Sequence, residues 1–138
     1  MKKFLILFIL LVFVSPVFAA NWVEVFEKNY LDVSSLEQHN NIVTFWVKSL
    51  RKDPKDVIPV LNKSYWFSLD RWNINCANKK ERIDVVNVYG LKGELLYTDE
   101  YVPEWRTIVP DTYADGFYNM FCSVPFEDNP WFNPDLLK

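Results

Sequence analysis

Bulky and polar residues alternate along much of this chain, and the longest such stretch is Tyr65–Cys76. Tyr65, Phe67, Leu69 and Arg71 fall on one side of it. Trp66, Ser68, Asp70, Trp72, Ile74 and Cys76 fall on the other, as in a half-buried strand. Ile42–Leu50 repeats the pattern, with Val43, Phe45 and Val47 on one side and Ile42, Thr44, Trp46 and Lys48 on the other. Both sides of that stretch carry apolar bulk, so something must cover at least part of each.

Shorter alternations predict strands over Trp22–Phe26 and Tyr30–Val33, joined by a turn at Glu27-Lys28-Asn29. Ser34–Asn41 is polar and reads as a loop, with one helical turn available from Ser35. Arg51–Ser64 holds Pro54 and Pro59 and reads as a long, mobile connection. After the central strand, Ala77-Asn78-Lys79 turns the chain back into Lys80–Tyr89. Gly90-Leu91-Lys92-Gly93 then turns it into Glu94–Tyr101, its two glycines able to take positive φ. Three strands with short loops make an antiparallel meander. Val102–Pro110 reads as extended.

The period changes after Pro110. Thr112 followed by Asp115 matches a capping box. Tyr113, Phe117, Met120 and Phe121 then recur on one helical face, and the helix ends near Cys122. Gly116 inside it costs about 1 kcal/mol relative to Ala, which predicts a packing reason for it. Ser123–Lys138 carries Pro125, Pro130 and Pro134 and reads as an irregular tail whose Phe126, Trp131, Phe132 and Leu136 can dock on the body. Strands followed by one helix predict an α+β fold: an antiparallel sheet of about five to six strands with a C-terminal α-helix packed on one face.

The first residues change the picture of where this domain works. Met1-Lys2-Lys3 precede an apolar run from Phe4 to Val14, then Ser15-Pro16-Val17-Phe18-Ala19. A basic start, a short apolar run and small residues are the pattern of a secretory signal peptide. The run falls short of the ~20 residues of a spanning helix. The expected organisation is therefore a signal peptide at 1–19, a domain at 20–122 and the tail at 123–138. Loss of Lys2 and Lys3 takes the net charge from −3 to −5. An acidic body lacks the basic footprint of nucleic-acid binders.

Export also decides how the two cysteines are read. In an oxidising compartment Cys76 and Cys122 most simply form one disulfide. They lie 46 positions apart, and closing a loop of that length stabilises by about 4 kcal/mol in the chain-entropy model. Catalytic signals are weak. The single histidine, His39, stands in a polar loop, and no nucleophile, zinc or phosphate-loop motif occurs. Asp53, Asp56, Asp111 and Asp115 have no metal-loop spacing. No cofactor or metal is expected, and the expected class is non-enzymatic. The aromatic residues divide between core and binding surface. Trp46, Trp66 and Trp72, with the basic Lys79, Lys80 and Arg82 at the hairpin, are the candidate partner-binding residues. The plainer reading of those three cations is a solvated turn whose charges deter strand pairing.

Several segments in order resemble the surface-adhesin protein E family of bacterial envelope proteins. They are Trp22, then Tyr30–Leu36, then Ile42–Lys48, then Ile74–Arg82 around the first cysteine, then Gly93, then Trp105–Pro110 before a helix closing at Cys122. The resemblance covers 21–122. It implies a small antiparallel sheet with a C-terminal helix and a disulfide, exposed in the envelope of a Gram-negative bacterium. For the founding adhesins it implies binding of host extracellular-matrix proteins. Two departures stand out: no lipidation cysteine follows the leader, and the tail after Cys122 exceeds the usual end. The leading expectation is an exported binder of a macromolecular partner, located in the periplasm, on the outer surface or in the medium. The alternative is a periplasmic assembly or inhibitor module that acts on an endogenous envelope protein through a sheet edge.

Overall fold

The computed structural model describes residues 19–51, 53, 57–58, 62–100, 104–133 and 135. Residues 1–18 of the signal peptide expected at 1–19, the middle of the 51–64 connection, Tyr101, the start of the Val102–Pro110 segment and Leu136 lie outside the described residues. Among the described residues, ten strands and one α-helix follow in chain order. They are β1 (Trp22–Phe26), β2 (Asn29–Asp32), β3 (Glu37–His39), β4 (Ile42–Leu50), β5 (Val57–Ile58), β6 (Lys63–Ser64), β7 (Phe67–Asn75), β8 (Lys80–Tyr89), β9 (Leu95–Glu100), β10 (Arg106–Thr107) and α1 (Tyr113–Cys122). Eight of the strands form one antiparallel sheet in the order β1-β2-β4-β7-β8-β10, with β3 also on β4 and β9 also on β8. The α+β class is as expected, but the strands outnumber the expected five to six.

The extra strands are short and polar. β3 is Glu37-Gln38-His39, fully exposed, and pairs with β4 from Glu37↔Thr44 to His39↔Ile42. It is held by a turn in which Asn40 adopts φ 53°, a left-handed conformation that Asn tolerates better than most residues. The sequence shows only a polar loop there, because three hydrophilic residues carry no apolar alternation. β10 pairs two residues with the start of β8. β5 and β6 form a separate two-stranded ribbon inside the 51–64 connection. The helical turn expected to start at Ser35 does not form there; the 3-10 turn runs over Val33–Ser35 and ends at that residue, capped by the Asp32 carboxylate accepting from Ser34 N–H.

The longer strands follow the expected alternation. Val43 and Phe45 are 0% exposed and Val47 2%. β4 and β7 pair along their full nine residues, from Ile42↔Asn75 to Leu50↔Phe67. The β7–β8 ladder slips once, opposite Arg71 and Trp72, where Asp84 is the additional residue. Such a bulge sharpens the local twist. Of the two glycines in the β8–β9 turn, only Gly93 has positive φ (79°).

The Thr112 half of the capping box forms, with Asp115 N–H donating to Thr112 Oγ1 at 3.3 Å, while Asp115 Oδ2 accepts from Asp111 N–H at 3.4 Å rather than from the cap residue. α1 buries Ala114, Phe117 and Phe121 against the sheet, while Tyr113, 39% exposed, lies at the rim with its ring 5.5 Å from that of Phe26. The expected packing reason for Gly116 is Phe26. A Cβ at Gly116 would lie 2.5 Å from Phe26 Cζ. Phe117 is the hub, with ring centroids 5.2 Å from Phe26, 4.8 Å from Phe45 and 5.5 Å from Trp72. The Cys76–Cys122 disulfide ties the end of β7 to the end of α1, Cα to Cα 5.4 Å.

After Cys122 the described residues 123–133 stay on the body. Phe126–Asp128 forms a 3-10 turn, and Trp131 and Phe132 reach the Phe121 ring at 6.3 and 5.9 Å. Asn129 is 1% exposed. Its Nδ2 donates to the Met120 and Phe121 carbonyls at 3.0 and 3.2 Å, and its Oδ1 accepts from Trp131 N–H. Those helical carbonyls would otherwise lack partners at the helix end.

Candidate partner-binding face

Residues directly opposite each other on neighbouring strands share a side of the sheet. The register Tyr30↔Lys48↔Leu69↔Asn87 and Trp46↔Arg71↔Val85 therefore sets these residues on one side, away from Phe45 and α1. No helix among the described residues lies on this side. Phe67 and Tyr89 pair across β7 and β8 on it, with stacked rings 4.7 Å apart. Lys48 Nζ stands 4.7 Å from the Phe67 ring centroid and 5.9 Å from that of Trp22. The ammonium is thus held between aromatic faces, whose quadrupoles attract cations. Trp22, Tyr30, Trp46, Lys48, Phe67, Arg71 and Tyr89 are all partly exposed. Buried Asn73 on this side is satisfied by Thr44 Oγ1 donating to its Oδ1 at 2.8 Å.

The six residues singled out from the sequence do not share one surface. Trp46 is part of this face. Trp66, at 47% exposure, stands just before β7, edge-on to Phe67 at 5.4 Å. Arg82 pairs with Asn73 on the same face, stacks over the Trp105 ring at 4.8 Å and sets its Nε 2.8 Å from Asp84 Oδ1. Trp72 is on the opposite side, against Phe117. Lys79, in the hairpin at φ 52°, places Nζ 3.1 Å from Asp115 Oδ1 and 5.1 Å from the Tyr118 ring. It links the hairpin to the start of α1, and its hydrogen bond holds the Asp115 carboxyl below the usual range. Lys80 lies in the ladder between Asn75 and Thr107. Next to it, burial raises the Glu81 carboxyl above its ordinary value, opposed by Arg106 at 3.9 Å.

Sequence reasoning passed over Trp22, Lys48, Phe67, Arg71 and Tyr89 as a group. The signal was present in the alternation, but reading it needed the strand order. His39 is exposed on β3. Among the described residues no three His, Cys, Asp or Glu side chains gather as a metal site. No helix there is long and apolar enough to cross a membrane.

A model of the family described as Surface-adhesin protein E matches residues 22–123. The chain belongs to the surface-adhesin protein E family. Two crystal structures of protein E from Haemophilus influenzae share its fold. One, from a non-typeable strain, superposes with a TM-score of 0.56 at 16% identity, over 79% of this chain and 81% of that one. The second, crystal form II, gives a TM-score of 0.55 at 17% identity, over 74% and 87%. A comparison with curated proteins finds no match. The family span includes the whole sheet, α1 and both cysteines, and ends as the docked tail begins.

Proposed function

We propose that this family member is exported by its leader and acts, without catalysis, as a binder of a macromolecular partner in the cell envelope. The contact surface is the sheet side away from α1, and the partner is a host extracellular-matrix protein. One observation carries the reading. A surface-adhesin family member presents Trp46, Lys48, Phe67, Arg71 and Tyr89 in partly exposed positions on one side of its sheet. Aromatic residues and Arg are enriched in interface cores because they add contact area at low entropy cost.

The test is retention of the protein, expressed from its full-length sequence, on immobilised laminin or vitronectin at micromolar concentration. Saturable retention supports the reading, and retention no greater than on immobilised albumin overturns the matrix-protein assignment. Protease shaving of intact cells tests the location, since a surface protein is cut and a periplasmic one is spared.

A second reading rests on the sheet edge. β1 pairs only with β2 among the described residues, and its Val23 and Glu24 are exposed. An edge of this kind can receive a strand from another chain, as a periplasmic assembly or inhibitor module would require. Capture of a single endogenous envelope protein, abolished by proline at Val23, would favour this reading.

A further inference from the structure

The disulfide opens onto a cleft of about 360 Å³, where β4 begins and where β7 and α1 end. Cys76 and Cys122 both line the cleft, and both are only half-buried. Exposed disulfides are the exchangeable ones, because a thiolate can reach their sulfurs. Asn41 stands on one side, its carbonyl accepting from Cys76 N–H at 2.8 Å. The docked tail forms the other side with Val124, Phe126 and Glu127. The family match ends at residue 123, so this wall comes from the part of the chain beyond the family span.

The charge around the cleft is of one sign. Glu127 is the charged residue among those that line it, and exposed Asp128 follows in the same 3-10 turn. Cys122 closes α1, and the carbonyl end of a helix carries partial negative charge. An anionic thiol is therefore repelled, and a thiol that carries a cation beside it is drawn in. Ligand pockets begin at about 300 Å³, so there is room for a cysteine and a neighbouring side chain. Opening the bond need not unfold the domain, since Phe117 and Phe121 still seat α1 in the core.

We propose that this cleft is a thiol–disulfide exchange site, which captures the cysteine of a polypeptide partner with basic flanking residues. The partner's thiolate sulfur bonds to one sulfur of the Cys76–Cys122 pair. The bond between the two cysteines breaks, and the other sulfur leaves with the electron pair as a thiolate and takes a proton from water. The product is a mixed disulfide, with no net oxidation or reduction. The site is separate from the aromatic–basic sheet face and stands whether or not that face binds matrix proteins.

The experiment treats the folded protein, at low ionic strength, with Nα-acetyl-lysyl-cysteine amide, its glutamyl counterpart or cysteamine. Acid quenching and mass spectrometry read the adduct and the opened chain. Each rate is divided by that of the same thiol on bis(2-hydroxyethyl) disulfide, which removes differences in thiol reactivity. The rate is expected to rise in proportion to thiol concentration. The lysyl peptide should react at least about threefold faster than the glutamyl one, the scale of exposed charge pairs. Glu127→Gln, with its melting temperature reporting the fold, should narrow that ratio. A rate that levels off with thiol concentration and rises in mild urea would mean that only unfolding exposes the bond, which overturns the proposal. So does an equal rate for the two peptides, or a ratio that Glu127→Gln leaves unchanged. Cysteamine reacting as fast as the lysyl peptide would overturn the polypeptide occupant in favour of a free aminothiol.

Discussion

The two sides of the β4–β7 pair are built from similar residue types and end in different states. Towards α1, Val43, Phe45 and Ile74 are 0% exposed, sealed by Phe117 and Phe121. Away from it, Trp46, Lys48, Phe67 and Arg71 are only partly covered. Aromatic content therefore does not decide burial in this protein. The helix does, and the helix is held to one side by the disulfide at its end and by the buried Phe117 and Phe121. Mutations on the covered side should register as lost stability. Those on the open side should register as lost contact with a partner.

The largest effect is expected at Phe117. Phe117→Ala removes the ring that joins Phe26, Phe45 and Trp72, and urea titration should show a loss of about 3–5 kcal/mol. Comparable stability in the variant would mean that the helix is not what organises the core. Replacing Cys76 and Cys122 together by Ala should lower the unfolding free energy by about 4 kcal/mol, read from the same titration, because the denatured chain regains its loop freedom.

Asp70 gives a prediction with a sign. Its carboxyl is raised from 3.8 to about 6 by burial. Between those two pH values the folded protein keeps a proton that the unfolded chain has released. Stability therefore falls as pH rises from about 4 to about 6 and levels off above. Asp70→Asn cannot titrate, so it should remove this fall, raising stability near pH 7 by up to about 3 kcal/mol and changing it little below pH 4. Melting curves at the two pH values compare the variants, and a loss of stability at neutral pH would contradict the burial argument.

A smaller effect is expected at Gly116. Ala there improves helix propensity by about 1 kcal/mol, yet its Cβ would meet Phe26 Cζ at 2.5 Å. Overpacking should outweigh the gain and leave a net loss of about 1–2 kcal/mol. An increase in melting temperature would show that Phe26 moves aside freely.

Much of this architecture is legible in the residues. The period-two pattern of Val43, Phe45 and Val47 marks a strand with one buried side, and Thr112 with Asp115 marks the start of α1. The short partners β3 and β10 are not legible, since two or three polar residues pair through their backbones and show no side-chain pattern. The face of each tryptophan was only half legible. Alternation separates Trp46 from Phe45 within a strand, but grouping Trp46 with Arg71 depends on the β4–β7 register, and grouping Trp72 with Phe117 depends on where α1 packs. Asn129 looks like a tail residue beside a proline, and only the folded chain shows its bonds to the last carbonyls of α1. Alternation sets Asp70 on the side of Trp72 and Ile74, but the burial of its carboxyl shows only once the neighbouring elements are in place.

The division of labour between the two sides is tested most directly by retention on immobilised vitronectin of a variant carrying Trp46→Ala, Lys48→Glu and Arg71→Glu, beside the unaltered protein. Surface changes away from the core should leave its melting temperature within a few degrees, about 0.5 kcal/mol per site. Its retention should drop by at least about tenfold if these residues form the centre of the contact. Retention equal to that of the unaltered protein, in a variant that melts at the same temperature, would contradict the assignment of this face as the binding surface.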